Sequence, residues 1–471
     1  MTAKLCGMSK KPHIFLLLCL SLISAQTFSA GIDPFGTNAI APLKISPQLS
    51  GRVGDAPCAN ELPVTPLGPV DVVDLTLCNN PQTREVWAAA RVQAALVGVA
   101  QSAWLPDLDA KAAATRNITE SRNYSQNSAA LTLSWLMFDF GQRSANLENA
   151  QQLLNAAAAS QNAAVQSLFL SALQSYYTAQ AGRAAVVSTT QAERSAREGF
   201  LAAESRYTVG VGTPADRLQA QTALSQATLT RIKAEGEARN ALGALANVLG
   251  FDAQQTIRLA DMPAMPTELN FQRDVDALIN EARLRRPDLQ AAEAQVKAAE
   301  ASVDVARAQG RPSITLGTGP SWQDVGGVVT NGGNVGVAIT VPIFSGFETN
   351  YRVRSAAAQA EVKAAQRDRI KSQIALDVWK SYQSLTTATQ SLSATADLIA
   401  SAEQSERVAL GRYKAGVGTV LDLLAAQSAL ANARLQRIQA ALDWYVYRAT
   451  LAQSMGALDY TLLQSGAEGK Q

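Results

Sequence analysis

Histidine is almost absent from this chain of 471 residues, whose one histidine is His13, close to the N-terminus. His13 lies in a segment that we predict below to be removed, so the mature chain would have no histidine and therefore neither a Ser-His-Asp triad nor most ligand sets of zinc hydrolases. It also contains no Gly-x-x-x-x-Gly-Lys-Ser/Thr loop, the pattern that cradles nucleotide phosphates. These absences argue against an enzyme, and the sequence predicts neither a cofactor nor a metal site.

Long apolar runs are also scarce. Three lysines precede one short apolar stretch, residues 14–23, and small residues follow it up to Ala30. About ten apolar residues are too few to cross a bilayer as a helix, and this order is typical of a cleaved secretory signal. We therefore predict a signal peptide over residues 1–30, cut between about 25 and 30, with His13 inside it. No later segment has the roughly 20 unbroken apolar residues of a membrane helix.

Cysteine and net charge are low as well. The charge is +2, and removal of the three N-terminal lysines would leave a mature chain near −1. No basic patch is present, so we expect no nucleic-acid partner. Four cysteines reduce to Cys58 and Cys78 after processing. An oxidising compartment would permit a disulfide between these two, and two free thiols are the alternative.

What the chain does contain is a repeat. The segment RYTVGVGTPAD, residues 206–216, recurs as RYKAGVGTVLD, residues 412–422, an offset of 206 residues. The same offset pairs Pro81 with Pro287 and Gly250 with Gly456. One constant register over about 170 residues indicates a structural unit used twice. The predicted division of the chain is signal 1–30, Pro-rich periplasmic segment 31–80, first repeat 81–250, linker 251–286, second repeat 287–456 and tail 457–471.

Each repeat contains segments with the two-residue period of strands. In the first repeat a helix ending near Ala103 precedes an extended segment at about 108–118 and a polar loop at 120–127. Apolar and small residues then alternate, and a Gly-rich loop at 324–334 is predicted to join the second strand pair. Strands of about ten residues have the length of tilted transmembrane strands. The apolar positions of the alternating strands are Leu131, Leu133, Trp135, Met137, Val335, Val337, Ile339, Val341 and Ile343.

Behind each strand pair the period becomes helical and remains so. Residues 142–207 and 347–413 contain no proline, and about 65 residues at 1.5 Å each form a rod of roughly 100 Å. A second helix follows in each repeat, with apolar residues spaced for coiled-coil packing. The turn between these helices is specified by glycines that permit left-handed backbone and by a capping threonine. Its residues are Tyr207, Gly210, Gly212, Thr213 and Asp216 in the first repeat and Tyr413, Gly416, Gly418, Thr419 and Asp422 in the second.

Four membrane-type strands cannot close a barrel, and lipid does not tolerate an open sheet edge. The chain must therefore associate, and three copies would supply twelve strands. The fold class predicted is an α+β membrane protein: a trimeric twelve-stranded barrel extended into the periplasm by a coiled-coil tunnel. Such an assembly is a conduit through the outer membrane. A passive porin, which would be nearly all strand, and a periplasmic coiled-coil rod are the competing interpretations.

The sequence resembles the TolC family of outer-membrane channels from about residue 75 to residue 456. The resemblance rests on RPDL at 286–289, PIFSG at 342–346 and RYKAGVGTVLD at 412–422, in that order. It implies a homotrimer that works with a periplasmic membrane-fusion adaptor and an inner-membrane ABC or proton-driven transporter. The exported cargo would be polypeptides, as in type I secretion, or small toxic molecules.

The resemblance also implies roles at the second turn. Asp422 would form a ring of acids at the periplasmic entrance, and Tyr413 would belong to the latch that holds the entrance shut. The family's entrances carry a basic residue where this chain has Gly418 and a second acid where it has Ala425, so a weaker latch is expected. Helix capping alone is the alternative for Asp422, because Asp216 occupies the same position in the first repeat.

Overall fold

The computed structural model describes residues 33–42, 62–118, 123–261 and 274–459. The predicted signal peptide, Cys58 and most of the C-terminal tail lie outside these residues. The described chain contains helices and strands in the order α1 to α3, β1, β2, α4 to α7, β3, β4, α8 and α9. Their bounds are α1 Thr37–Ile40, α2 Pro69–Asn79, α3 Pro81–Ser102, β1 Asp107–Ile118, β2 Asn123–Phe138, α4 Gln142–Thr208, α5 Pro214–Val248, α6 Val275–Arg285, α7 Pro287–Ala308, β3 Ser313–Val325, β4 Val328–Thr340, α8 Glu348–Lys414 and α9 Val420–Ser454.

The strands form one antiparallel sheet in the order β1-β2-β3-β4, which is also their order along the chain. Asp107 pairs with Ser134 at one end of the β1–β2 ladder, and Ser313 pairs with Thr340 in the β3–β4 ladder. Strands β1 and β4 are therefore the two margins of the sheet. The alternating apolar residues of β4 are exposed, with Val335 at 79% and Ile339 at 66%. Exposed aliphatic side chains on a marginal strand are unusual for a sheet that faces only water.

Two of the predicted loops are wrong. The expected Gly-rich loop at 324–334 is mostly paired strand, because β3 and β4 are joined by Gly326 and Gly327 alone. Both glycines have positive φ, 60° and 90°, which suits the primed two-residue turns of tight hairpins. The expected polar loop at 120–127 is also too long, because β2 already begins at Asn123. Polar side chains at these positions are compatible with strand because both faces of this stretch remain accessible.

The helical predictions are confirmed in extent. Helices α4 and α8 have 67 residues each and α5 and α9 have 35 each. The bounds of α3, α4 and α5 recur in α7, α8 and α9 at an offset of 206 residues. Among the described residues, no helix carries an apolar run long enough to cross a bilayer.

The helices pack in pairs, α4 along α5 and α8 along α9, and α9 also packs along α4. Small residues allow close approach: a Cβ built on Gly182 of α4 would lie 3.2 Å from the Cα of Ala238 in α5. The largest buried cluster among the described residues combines side chains of α2 and of α4 to α9, and within it Tyr177 of α4 stacks on Tyr445 of α9 with centroids 4.7 Å apart. Burial raises the pKa of the Tyr177 hydroxyl well above its usual range.

Cys78, in the last turn of α2, is disulfide-bonded. Its predicted partner, Cys58, lies outside the described residues, so the pairing of these two stays a prediction.

Candidate functional site at the two helical turns

The candidate site consists of the first turn, residues 209–213 between α4 and α5, and the second turn, residues 415–419 between α8 and α9. Both turns use one backbone pattern. Gly210 and Gly416 each have φ of +79°, the left-handed conformation that commonly ends a helix. The carbonyl of Arg206 accepts from Val211 and Gly212, and that of Arg412 accepts from Val417 and Gly418, at 2.9–3.1 Å. The predicted residues of each turn therefore occupy equivalent places in one backbone conformation.

Gly212 and Gly418 pack closely on the end of the preceding helix. A Cβ at Gly212 would come within 3.0 Å of the Tyr207 amide nitrogen, and one at Gly418 within 3.1 Å of the Tyr413 amide nitrogen. A larger residue at either position would therefore require the neighbouring backbone to shift slightly.

Each turn ends in a capping box. The Thr213 hydroxyl accepts from the Asp216 amide at 3.1 Å, and the Asp216 carboxylate accepts from the Thr213 amide at 3.2 Å. Thr419 and Asp422 repeat this exchange at 3.1 and 3.4 Å. Such reciprocal bonds satisfy amides that the first turn of a helix leaves unpaired. Both carboxylates therefore act as caps.

The tyrosines of the two turns differ in environment. Tyr413 is 4% exposed and belongs to a small buried cluster with Ala203, Ala220, Val420 and Leu423. Burial raises the pKa of the Tyr413 hydroxyl, the nearby Arg206 lowers it, and Asp216 adds a smaller increase. The second turn is thus seated on a hydrophobic contact with α4 and α5.

Tyr207, the equivalent residue of the first turn, is 38% exposed. The guanidinium of Arg217 lies 5.2 Å from its ring centroid and also pairs with Glu204 at 3.5 Å. These partners all belong to α4 and α5. The first turn is therefore held by charged groups of its own hairpin.

Sequence reasoning missed Arg206 as a site residue. Its Nη1 donates to the carbonyl of Tyr413 at 2.9 Å, and its guanidinium lies 5.1 Å from the centroid of the Tyr413 ring. Arg206 and its counterpart Arg412 begin the same repeated segment, so the sequence offers no signal that one of them bridges the two hairpins. That bridge depends on the packing of α9 against α4.

A second polar contact joins the hairpins nearer the middle of the helices. The side-chain amide of Gln427 in α9 donates to the carbonyl of Ser195 in α4 at 3.1 Å. Between this contact and the turn, Leu423 faces Gly199, where an added Cβ would lie 3.9 Å from the leucine methyl. Helices α4 and α9 are therefore in contact at this level as well.

Asp422 itself is exposed and lines a surface groove of about 580 Å³ between α8 and α9, together with Arg412, Gly418 and Ala425. No group of three or more His, Cys, Asp or Glu side chains that could hold a metal ion occurs in the part of the chain that the structure describes. The turns present backbone hydrogen bonds, the exposed carboxylate of Asp422 and two guanidinium groups that lie over tyrosine rings.

Comparison with known proteins gives a consistent result. The family model described as outer membrane efflux protein matches twice, over residues 72–251 and 278–457. The chain is 32% identical over 436 residues to Protein CyaE of Bordetella pertussis, covering 89% of this chain and 91% of that protein. It is 24% identical over 420 residues to the alkaline protease secretion protein AprF of Pseudomonas aeruginosa, covering 83% and 85%.

The fold has solved counterparts. A structure of the outer-membrane channel OprN superposes with a TM-score of 0.74 at 22% identity, covering 83% of this chain and 90% of that one. This likeness concerns the fold, whereas the family model and the relative at 32% identity concern descent. The chain belongs to the outer membrane efflux protein family.

Proposed function

We propose that three copies of this chain assemble into an outer-membrane channel whose twelve-stranded barrel continues into a periplasmic helical tunnel. The channel would be the outer component of a tripartite export system. Its partners would be a periplasmic membrane-fusion adaptor and an inner-membrane ABC or proton-driven transporter, which supplies the energy.

The observation that carries this proposal is the sheet with two margins. Strands β1 and β4 each have a neighbour on one side in the chain described, and a row of backbone groups remains for pairing on the other. In lipid such groups require partners, and closure into a barrel provides them. Pairing of β1 of one copy with β4 of the next would close the barrel, and the exposed valines and Ile339 of β4 suit a lipid-facing surface.

The recurrence of element bounds supports an internal duplication. Two matches to the same family model are also offset by 206 residues. In this proposal residues 81–250 and 287–456 are two copies of one unit, each adding two strands to the barrel and one helical hairpin to the tunnel. Three chains would then place six quasi-equivalent hairpins around the axis.

The cargo is proposed to be polypeptide, as in type I secretion, with small-molecule efflux alone as the second candidate. AprF is named for secretion of alkaline protease, whereas the family is described by efflux, so both classes of cargo occur among similar proteins. Deletion of the gene followed by assays of secreted protein and of drug sensitivity separates them. Loss of secretion with unchanged drug sensitivity supports the polypeptide cargo, and the reverse result contradicts it.

Assembly can be tested on the full chain. Outer-membrane fractions should yield a species of trimer size on gels of unheated samples that converts to monomer on boiling. The purified protein should form ion-conducting pores in planar bilayers. A monomer that stays soluble without detergent and produces no conductance would contradict the channel.

Asp422 is proposed to serve the pore as well as the helix cap. Three copies of this exposed carboxylate around an axis would form a negative ring that attracts cations. Asp422→Ala should weaken block of single-channel current by a trivalent cation, whereas Asp216→Ala removes the equivalent cap and is the matched control. Equal block in both variants and in wild type would leave Asp422 with capping alone.

A further inference from the structure

We propose that Arg206 is a positioning residue that holds the second turn against α4 and thereby sets how far the periplasmic entrance opens at rest. This inference rests on the proposed channel function. The second turn has glycine, Gly418, where the family's entrances carry a basic residue, and in this proposal the guanidinium of Arg206 from the first repeat provides the basic group.

The contact is built on the end of a helix. Tyr413 lies in the last turn of α8, and its carbonyl also accepts from the Gly416 amide at 3.0 Å. Carbonyls at a helix C-terminus carry the negative end of the helix dipole, so a guanidinium beside them is favourably placed. Arg206 satisfies this carbonyl from a different hairpin.

The aromatic ring gives the same contact a second component. The guanidinium lies within cation–π distance of the Tyr413 ring, and that ring is itself buried against Ala203 and Leu423. Arginine is suited to this double role because its planar group can donate a bond and stack at once. The hydroxyl of Tyr413 takes part in neither component.

The position of the guanidinium links it to the second turn as a whole. A Cβ built on Gly416 would lie 3.9 Å from Nη1 of Arg206, so the charged group lies directly beside the turn. A Cβ at Gly418 would lie 3.1 Å from the Tyr413 amide nitrogen, so a side chain there would require the neighbouring backbone to shift slightly. Arg206 brings its positive charge to the second turn from the other hairpin.

Two further contacts between α9 and α4 lie at increasing distance from the second turn. The first is the packing of Leu423 beside Gly199, and the second is the hydrogen bond from Gln427 to the Ser195 carbonyl. Arg206 is nearer the turn than either. Loss of Arg206 should thus free the turn while the helices remain packed, which is the behaviour of a latch rather than of a core contact.

The test is single-channel recording in planar bilayers with purified trimers of wild type and Arg206→Gln. Loss of a hydrogen bond to a charged donor should raise the ratio of open to closed states about tenfold. Arg217→Gln is the matched control, because Arg217 pairs with Glu204 and Tyr207 inside the first hairpin. An open fraction in Arg206→Gln equal to that in Arg217→Gln would overturn the proposal.

Tyr413→Phe gives an independent readout. Phenylalanine keeps both the carbonyl and the ring face, so the rise in its open fraction should be smaller than the rise in Arg206→Gln. A rise as large as that in Arg206→Gln would assign the hold to the tyrosine hydroxyl and contradict the role of Arg206.

Arg206→Lys covers the case in which Arg206→Gln does not assemble. Lysine keeps the charge and loses the planar group, so the open fraction should be higher than that of wild type. An open fraction equal to that of wild type would contradict the role of the planar guanidinium. Failure of wild type to conduct at all would instead contradict the proposed channel, which distinguishes the two failures.

Discussion

The first and second turns share a backbone and differ in what surrounds it. Both have a left-handed glycine at φ +79°, a close-packed glycine two residues later and a Thr-Asp capping box. Yet Tyr207 is partly exposed beside Arg217, whereas Tyr413 is buried beside Leu423, the residue equivalent to Arg217. Local sequence therefore defines the backbone of the turn, whereas the neighbouring helices decide whether the turn packs against the other hairpin.

The same contrast extends one helical turn back along the long helices. Glu204 of α4 pairs with Arg217, while its equivalent in α8, Leu410, packs against the buried cluster of Tyr413. The ion pair beside the first turn is thus replaced by Leu410 and Leu423 beside the second. Surface ion pairs contribute little to the free energy of unfolding, whereas a buried leucine contributes several kcal/mol. The stability of the second turn should therefore depend more strongly on these side chains.

The largest expected effect concerns Leu423 and Arg217, which occupy equivalent positions in the two repeats. Leu423 is fully buried, and Leu423→Ala should lower the free energy of local opening at the second turn by about 2–5 kcal/mol. Arg217→Ala should change opening at the first turn by less than about 1 kcal/mol. Hydrogen exchange of turn amides in the assembled protein measures both. Similar changes at the two turns would contradict the stronger dependence of the second turn on its buried side chain.

A smaller effect tests what the turns share. Thr213→Ala and Thr419→Ala each remove a side-chain cap, and each should cost about 1 kcal/mol in stability of the following helix. The two costs should agree, since the capping distances agree. Amide exchange in the first turn of α5 and of α9 provides the measurement. A cap at Thr419 worth far more than that at Thr213 would indicate that the second turn relies on further contacts of the threonine.

The smallest effect concerns ionisation of Tyr413. Burial raises the pKa of its hydroxyl above the usual 10.0, so the folded state disfavours the phenolate. Its contribution to stability is therefore complete below about pH 10 and is lost as the pH rises through the folded-state pKa. Tyr413→Phe should leave the ionisation of tyrosines near the usual pKa of 10.0 unchanged and should remove one group that ionises at higher pH, as measured by ultraviolet absorbance during alkaline titration. Loss of a group that ionises at the usual pKa would contradict the buried position.

Much of the architecture was predictable because its signals are local and repeated. Proline-free stretches with helical period gave α4 and α8 almost to the residue, and the capping residues located both turns. The strand boundaries were less predictable. The Gly-rich segment 324–334 is typical of a loop when considered alone. In the structure, all of its residues except Gly326 and Gly327 pair between β3 and β4.

The part of the site that escaped prediction is its cross-hairpin contact. Arg206 and Arg412 stand in matching segments, so no pattern along the chain separates the bridging arginine from the one beside the groove at Asp422. Glu204 and Arg217 likewise give no warning that Tyr207 lies in a charged surface while Tyr413 is buried.

The amino-acid sequence alone was enough to predict the periods, lengths and ends of the long helices, the turns between them and the family of the chain. These properties depend on residues a few positions apart, where helix capping, glycine geometry and hydrophobic spacing act. Which tyrosine is buried and which arginine crosses between hairpins depends on tertiary packing, because α9 packs on α4 at residues more than 200 positions apart. Near-identical segments thus acquire different environments through their neighbours.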